Sequence, residues 1–362
     1  MTLSVCLIVR NEEEVLARCL DCVKKFADEI VVVDTGSTDK TEKIAASYTD
    51  KLYHYEWCDD FAAARNFAFS KATCDYVMWL DADDVIDAKN CTRIRNLVDL
   101  GGFDMAYLLY AAAFEVDSPT FVYNRERIFL RSLDYRFSGA VHEVVVPRGK
   151  AVYSEARIDH KKIKSGDPMR NLKIYQKRIS EGISLDEREK FYYGRELLFN
   201  KMYRESVAVL ENFLSGDGWV ENKIEACINL YYCYTELGDN DKALQSLLKT
   251  FLYDSPRAQV CCMLGDYFME KLNTYAAIYW YTRALDCKND CKNELQSGAF
   301  VNTDYSEFVP CMQLCVIYDR LGEYKKANEF NERAGKIKPC NAQYLHNRQY
   351  LFCKLAGVIT DT

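Results

Sequence analysis

Short apolar runs alternate with helix-period stripes through the N-terminal part of the chain, an order that predicts strands and helices in alternation. Leu3 to Val9 reads as a continuous buried strand. Asn11 is placed to cap a helix whose Val15, Leu16, Cys19, Leu20 and Val23 fall on one face, with three glutamates in its first turn. Ile30 to Val33 is a second strand ending in Asp34-Thr35-Gly36-Ser37-Thr38-Asp39, and residues 61–70 form a further helix. Tyr76 to Leu80 is a third strand that empties into Asp81-Ala82-Asp83-Asp84. Polar clusters thus follow strand after strand, the place where open α/β sheets bind ligands. From Phe103 to Val146 the pattern turns to strands, with Phe121 to Tyr123, Arg127 to Arg131 and Ala140 to Val146 the clearest, which predicts a mixed or antiparallel extension of the sheet.

After Asp159-His160 comes a basic, turn-prone connector ending in Gly166-Asp167-Pro168. A domain boundary there divides the chain into an α/β domain, 1–168, and a tail, 169–362, made of a helical linker and helical repeats. Leu237-Gly238-Asp239-Asn240 and Leu321-Gly322-Glu323-Tyr324 are the same turn-then-helix phrase, and Leu272-Asn273-Thr274-Tyr275 is a weaker copy. With Tyr203 opening a fourth, Tyr203, Asn240, Tyr275 and Tyr324 become equivalent positions, close to the ~34-residue period of tetratricopeptide repeats except across Cys287 to Ser306. A non-repeating bundle is the alternative; recurrence of Gly and Ala in register favours repeats, and Pro339 falls where such a repeat often closes.

Composition narrows the class. With 362 residues, 49% of them apolar, the chain has ample material for folded cores. A net charge of −7 without a Lys/Arg block argues against a nucleic-acid partner. The Leu3–Val9 run meets Arg10-Asn11-Glu12 at once and reads as a strand, not a signal peptide. No segment approaches the ~20 apolar residues of a membrane span, so a soluble, cytoplasmic protein is expected. The 16 cysteines sit mostly on apolar helical stripes and are expected as reduced thiols. Cys19-Leu20-Asp21-Cys22 has metal or redox spacing, but no second such pair completes a site, and core packing is the expectation there and at Cys287/Cys291 and Cys311/Cys315.

The chemistry centres on Asp81, Asp83 and Asp84. Carboxylates clustered at a strand end suit Mg²⁺ or Mn²⁺, whose remaining positions go to phosphates and water, and that points to a nucleotide-phosphate substrate. An acidic turn is the plain alternative; capping and ion pairing are the alternatives for Asp34, Asp39 and Arg65.

Four segments together carry a resemblance: Ser4 to Glu12, Val33 to Asp39, Asp60-Phe61-Ala62-Ala63-Ala64-Arg65-Asn66, and Trp79 to Asp84. In order and spacing they resemble the inverting family 2 glycosyltransferases of GT-A fold. With its repeat-like tail, the chain resembles the subgroup of bacterial peptide and protein glycosyltransferases that includes the sublancin-type S-glycosyltransferases. The resemblance implies an α/β GT-A domain (Rossmann-like, mixed sheet) followed by an all-α tetratricopeptide-like domain. It implies metal-dependent transfer of a sugar, with inversion, from a UDP-sugar to a peptide or protein. Arg10, Asn11, Glu12 and Asp34 would line the nucleotide, with Asp34 accepting from a uracil N–H; Arg65 would lie near the pyrophosphate and Asp81 near the ribose or a metal-bound water. Asp83 would ligate Mn²⁺ or Mg²⁺, with His160 as a further ligand. Glu143, in Gly139-Ala140-Val141-His142-Glu143, would be the general base, with His142 a substrate contact or orienting partner. A strand-end pair bonded to backbone, and a structural His160, are the alternatives. The repeats would recruit the acceptor or mediate dimerisation. Transfer to a lipid-linked or cell-surface saccharide, or a non-catalytic nucleotide-binding adaptor, remain the rival readings. The Gln-x-x-Arg-Trp motif of polysaccharide-synthesising members is not found, which argues against processive synthesis.

Overall fold

The computed structural model describes residues 1–115, 118–163, 166–287, 299 and 301–357. The chain divides into two compact units, Met1–Lys201 and Met202–Thr362.

In the first unit the alternating pattern becomes β1 (Leu3–Val9), α1 (Leu16–Val23), β2 (Glu29–Asp34), α2 (Thr41–Ala46), β3 (Leu52–His54), α3 (Phe61–Lys71) and β4 (Tyr76–Leu80). There follow β5 (Asp84–Val85), α4 (Ala88–Leu100), β6 (Met105–Glu115), β7 (Ser118–Leu130), β8 (Phe137–Ser138), β9 (Val144–Val145), β10 (Ala151–His160), α5 (Arg170–Ser180) and α6 (Glu187–Phe199). The main sheet runs β3-β2-β1-β4-β7-β6-β10-β5. The first four strands are parallel, and β7 is antiparallel to both β4 and β6. Because β10 is parallel to β6, it runs in the same sense as β4, so His160 emerges on the edge where Asp81 to Asp84 follow β4. Pairing of Asp159 with Val85 and of His160 with Asp84 joins those two points directly.

The sheet is covered on both faces, as parallel strands require. Alternation along β1 sends Leu3, Val5, Leu7 and Val9 into the core built with Leu16, Leu20 and Ile94. Cys6 goes to the opposite core with Val31, Val33, Val77, Trp79, Phe129 and Phe137.

Three local expectations change. Asn11 does not cap α1: the helix starts at Leu16 with no side-chain cap, and Asn11 adopts φ 55°. The two segments expected at 121–123 and 127–131 fuse into the long β7, which ends at Leu130. Ala140 to Val146 is mostly a loop, since Gly139 at φ 96° and His142 at φ 53° are incompatible with a continuous strand. The compact division also falls at Lys201, not at 168, because α5 and α6 pack on the first unit: Leu172 and Tyr175 are buried, and the Tyr175 hydroxyl donates to the Val141 carbonyl at 3.5 Å.

The second unit is all helical apart from short segments: α7 (Tyr203–Ser215), α8 (Val220–Glu236), α9 (Asn240–Lys249), α10 (Ala258–Glu270), α11 (Thr274–Asp286), α12 (Phe308–Arg320), α13 (Tyr324–Ile337) and α14 (Ala342–Leu355). Each recurring phrase is a left-handed turn. Gly238 (φ 79°), Leu272 (φ 57°) and Gly322 (φ 74°) donate to the carbonyls of Thr235, Met269 and Asp319, and the next residues donate to Tyr234, Phe268 and Tyr318. This is the helix-ending motif in which a left-handed residue satisfies the last carbonyls. Alignment on these turns makes Thr274, one residue before Tyr275, the equivalent of Asn240 and Tyr324. A GT-A-type mixed sheet followed by tetratricopeptide-like helices is therefore the architecture of the chain. Gly265 on α10 shows how tightly the helix pairs approach: a Cβ there would lie 2.7 Å from the Tyr281 ring of α11.

Among the described residues every cysteine is a free thiol, and Cys19, Cys22, Cys311 and Cys315 are buried; Cys291 lies outside them. Burial pushes the Cys19 thiol well above its ordinary value, as expected for packing rather than redox chemistry. No helix among the described residues is long and apolar enough to cross a membrane.

Candidate active site

The chain turns sharply after β4. The Asp84 N–H donates to the Asp81 carbonyl at 3.1 Å, and the Asp81 N–H donates to Asp84 Oδ2 at 3.1 Å. The Asp84 side chain is fully buried and accepts from Arg127 Nη1 at 3.2 Å and the Tyr110 hydroxyl at 3.0 Å. With its oxygens so committed, Asp84 anchors the turn and leaves Asp83 as the forward-facing carboxylate. Arg18 steadies the turn from behind, donating to the carbonyls of Lys161 at 2.7 Å and Asp83 at 3.4 Å.

Asp83, Asp84 and His160 bring their ligand atoms within 4.8 Å of one another. His160 Nδ1 lies 3.2 Å from Asp83 Oδ1 and 3.5 Å from Asp84 Oδ1, yet it is buried without a well-formed hydrogen bond. Burial alone would lower the His160 pKa, but the two carboxylates outweigh it and push it up to about 10. A buried nitrogen facing two carboxylates without proper hydrogen-bond geometry fits a divalent cation, whose binding would displace the imidazole proton. Asp83 and His160, the two expected ligands, are the side chains able to hold it.

Arg65 forms the centre of the neighbouring charge cluster. Asp60 caps α3 by accepting from the Ala63 N–H at 2.9 Å, which fixes the turn that presents Arg65. The guanidinium lies over the Trp79 ring, 4.2 Å from its centroid, and donates to Asp81 Oδ1 and to Glu143 Oε1, each at 2.6 Å. Burial opposes ionisation of Asp81, but Arg65, Arg127 and Arg125 hold its carboxyl well below the usual range. Arg65 Nη1 and Arg127 Nε and Nη2 are buried donors without a partner. Such donors beside a cation site suit an anion.

Asp34, at the end of β2, is buried; its Oδ2 accepts from the N–H groups of Gly36 (2.9 Å) and Ser37 (2.8 Å), while Oδ1 has no partner. The turn thus holds one oxygen and leaves the other as an acceptor. Asn11 braces this turn: its Oδ1 accepts from the Thr38 N–H at 2.8 Å, and its N–H donates to Ser37 Oγ at 2.9 Å. The Glu12 N–H donates to Thr41 Oγ1 at 2.7 Å, tying β1 to α2. Arg10 is exposed. Glu42 and His54, which the sequence pattern does not single out, stand within 4.8 Å of the Asp34 carboxylate.

His142 and Glu143 diverge. Glu143 is buried against Arg65, whereas His142 Nε2 lies 2.8 Å from Glu196 Oε1 and its ring stacks on Tyr192 at 4.2 Å and 16°. Burial lowers the His142 pKa against the opposing pull of Glu196. His142 is thus joined to α6, away from Arg65. The expected residues fall into two groups: Arg65, Asp81 and Glu143 share one ion-pair network with Asp83 and His160 alongside, whereas Asp34, Asn11 and Glu12 form a separate turn at the ends of β1 and β2. Pattern reading misses Asp84's anchoring role, Arg127 and Glu196. Arg127 gave no distinct signal, because it ends the polar run Asn124-Arg125-Glu126-Arg127 within β7.

Residues 4–166 match the model of Glycosyl transferase family 2. The TPR repeat-containing protein Synpcc7942_0270 of Synechococcus elongatus is 41% identical over 143 residues, 39% of this chain and 35% of that protein. The SPbeta prophage-derived glycosyltransferase SunS of Bacillus subtilis is 30% identical over 144 residues, 39% of this chain and 34% of that protein. The lipopolysaccharide core biosynthesis glycosyltransferase LpsC of Rhizobium meliloti is 31% identical over 162 residues, 41% of this chain and 58% of that protein. The chain therefore spans between about a third and three-fifths of these relatives.

Proposed function

We propose that the chain is a metal-dependent, inverting glycosyltransferase that moves a sugar from a UDP-sugar to a peptide or protein. The observation that carries the reading is Arg65 bridging Asp81 and Glu143 at 2.6 Å beside the Asp83–His160 pair, all within the segment similar to family 2. This combines a cation-binding edge for a diphosphate with a fixed carboxylate for an acceptor. Similarity to SunS and LpsC supports glycosyl transfer as the reaction class.

The free Asp34 Oδ1 supports a base bearing an imide or lactam N–H. Uracil, thymine and guanine offer one; adenine and cytosine present a lone pair at the corresponding ring nitrogen. Arg65 would bind the diphosphate, with Arg127 behind it holding the Asp84 turn. A divalent cation held by Asp83 and His160 would neutralise charge on the departing diphosphate. The acceptor attacks the sugar C1 from the face opposite the diphosphate; the new bond forms as the C1–oxygen bond breaks, and Glu143 takes the acceptor proton. Arg65 fixes one Glu143 oxygen.

A peptide or protein acceptor, and a cytoplasmic place of action, are parts of the same proposal. Stacked helix pairs present extended surfaces suited to peptides, and the similarity to the TPR repeat-containing protein Synpcc7942_0270 is in keeping with a helical-repeat tail. The similarity to LpsC favours a second reading, a saccharide acceptor. Incubating the chain and Mn²⁺ with source-cell extract and labelled UDP-, GDP- or dTDP-sugars tests both. Label from the UDP-sugar in protease-sensitive material supports the proposal; label in protease-resistant saccharide contradicts its acceptor, and no transfer from any donor contradicts its reaction.

A further inference from the structure

The backbone at His142 is left-handed, φ 53°, a conformation that a histidine keeps only where its surroundings impose it. Those surroundings are side chains of α5 and α6. The His142 ring lies on Tyr192, its Nε2 meets Glu196 Oε1 at 2.8 Å, and its carbonyl accepts from Arg188 Nη2 at 3.3 Å. One residue earlier, the Val141 carbonyl accepts from the Tyr175 hydroxyl. Glu196 is itself fixed, since the same Oε1 accepts from Asn171 Nδ2 at 3.0 Å, and its side chain is only 8% exposed. Gripped in this way, the loop turns over between neighbouring side chains. His142 faces α6, and Glu143 faces Arg65.

We infer that Glu196 is a positioning residue: acting through His142, it holds the left-handed turn that aims Glu143 at the acceptor. This rests on the proposed function, in which Glu143 takes the acceptor proton. The helix pair α5–α6, which lies beyond the 4–166 segment similar to family 2, thereby becomes part of the device that makes the site competent. Nucleotide binding should be indifferent to it, because Asp34, Asp83 and His160 are carried by the turns after β2 and β4 and by the end of β10, and Arg65 keeps Asp81 and the Trp79 ring as partners when Glu143 shifts.

The test uses the full chain and its Glu196→Ala and Glu196→Gln variants. It measures kcat and KM for UDP-sugar turnover, and the affinity and stoichiometry of Mn²⁺-dependent UDP binding. A misplaced catalytic group costs up to about 10²-fold in rate. Glu196→Ala should therefore lose between about 10- and 10²-fold in kcat, with donor KM, UDP affinity and one-to-one stoichiometry unchanged. Glu196→Gln should recover most of the rate, because its amide oxygen still accepts from His142 and Asn171. If the alanine variant does not accumulate, Glu196→Asp, whose carboxylate falls one methylene short, should show the same split. Unchanged kcat in Glu196→Ala overturns the inference. So does a kcat loss matched by equal loss of UDP binding, which would mean general unfolding, or a glutamine variant as impaired as the alanine one. A parent that turns over no nucleotide sugar overturns the proposed function and this inference with it, whereas an active parent with an unaffected alanine variant overturns the inference alone.

Discussion

Replacing Arg65 by alanine removes the guanidinium that bonds both Asp81 and Glu143. Loss of one partner from a buried ion pair costs about 3–5 kcal/mol, because the group left behind has given up water without compensation. Here the two carboxylates differ: the Glu143 side chain is 8% exposed and has no easy route to solvent, whereas the Asp81 side chain is 29% exposed and can turn outward. The cost therefore falls mainly on Glu143, and the low end of the range, about 3 kcal/mol, applies. For a unit the size of Met1–Lys201 that corresponds to a fall in melting temperature of about 6–12 °C. The pH dependence has a definite sign. Asp81 is held below its ordinary pKa in the folded chain, so its pairing stabilises fully above its unfolded pKa of about 3.9 and is lost progressively below it, as pH falls toward the lowered folded value. The gap between parent and variant should be full at pH 7 and narrow below about pH 4. Arg65→Lys should fall between them, since one ammonium cannot reproduce the fork. Melting curves by circular dichroism at pH 7 and pH 2 provide the assay. A loss under about 1 kcal/mol at pH 7, or an equal loss at pH 2, would refute the ion-pair account.

Two further outcomes follow from named contacts. Glu29 accepts from Ser4 Oγ, Lys51 Nζ and Thr73, and these bonds outweigh the effect of burial, lowering its pKa to about 2. Its contribution should be complete above about pH 4.5 and disappear toward pH 2; after allowance for solvent screening, Glu29→Gln should cost about 2 kcal/mol at pH 7 and nothing near pH 2, as read by denaturant titration. An equal cost at both pH values would contradict this. Glu143→Gln should slow transfer to a hydroxyl acceptor by about 10²–10⁴ throughout the neutral range, whereas transfer to a thiol, with a free pKa near ~8.5, should recover partly as pH rises toward ~9. Full activity of that variant on a hydroxyl acceptor at pH 7 would remove Glu143 from the role.

What the sequence discloses and what it hides divide along physical lines. Strand ends are local: Val33-Asp34-Thr35-Gly36 and Leu80-Asp81-Ala82-Asp83 can be read directly, and the Gly238 and Gly322 turns announce the repeats. Leu272 obscures the third repeat, because a leucine occupies the left-handed position where glycine is the usual signal. Contacts between distant elements leave no local trace. Asp84 with Arg127, and His142 with Glu196, depend on strands and helices that meet only after folding, so neither partnership has a periodicity to find. Asn11 shows the reverse error. An Asn before a helical stripe is a reasonable cap, yet its carbonyl is taken by Thr38 across the neighbouring turn.

The most direct test of the account is release of UDP from a UDP-sugar, with and without Mn²⁺, by the parent and by Asp83→Ala. The Asp83 side chain is partly exposed and its ion-pair partner is His160, so the substitution should leave the fold and melting temperature nearly unchanged. The account predicts Mn²⁺-dependent release by the parent and none above background by Asp83→Ala, together with loss of the Mn²⁺-dependent part of UDP binding. Equal, Mn²⁺-dependent turnover by the two proteins would contradict it.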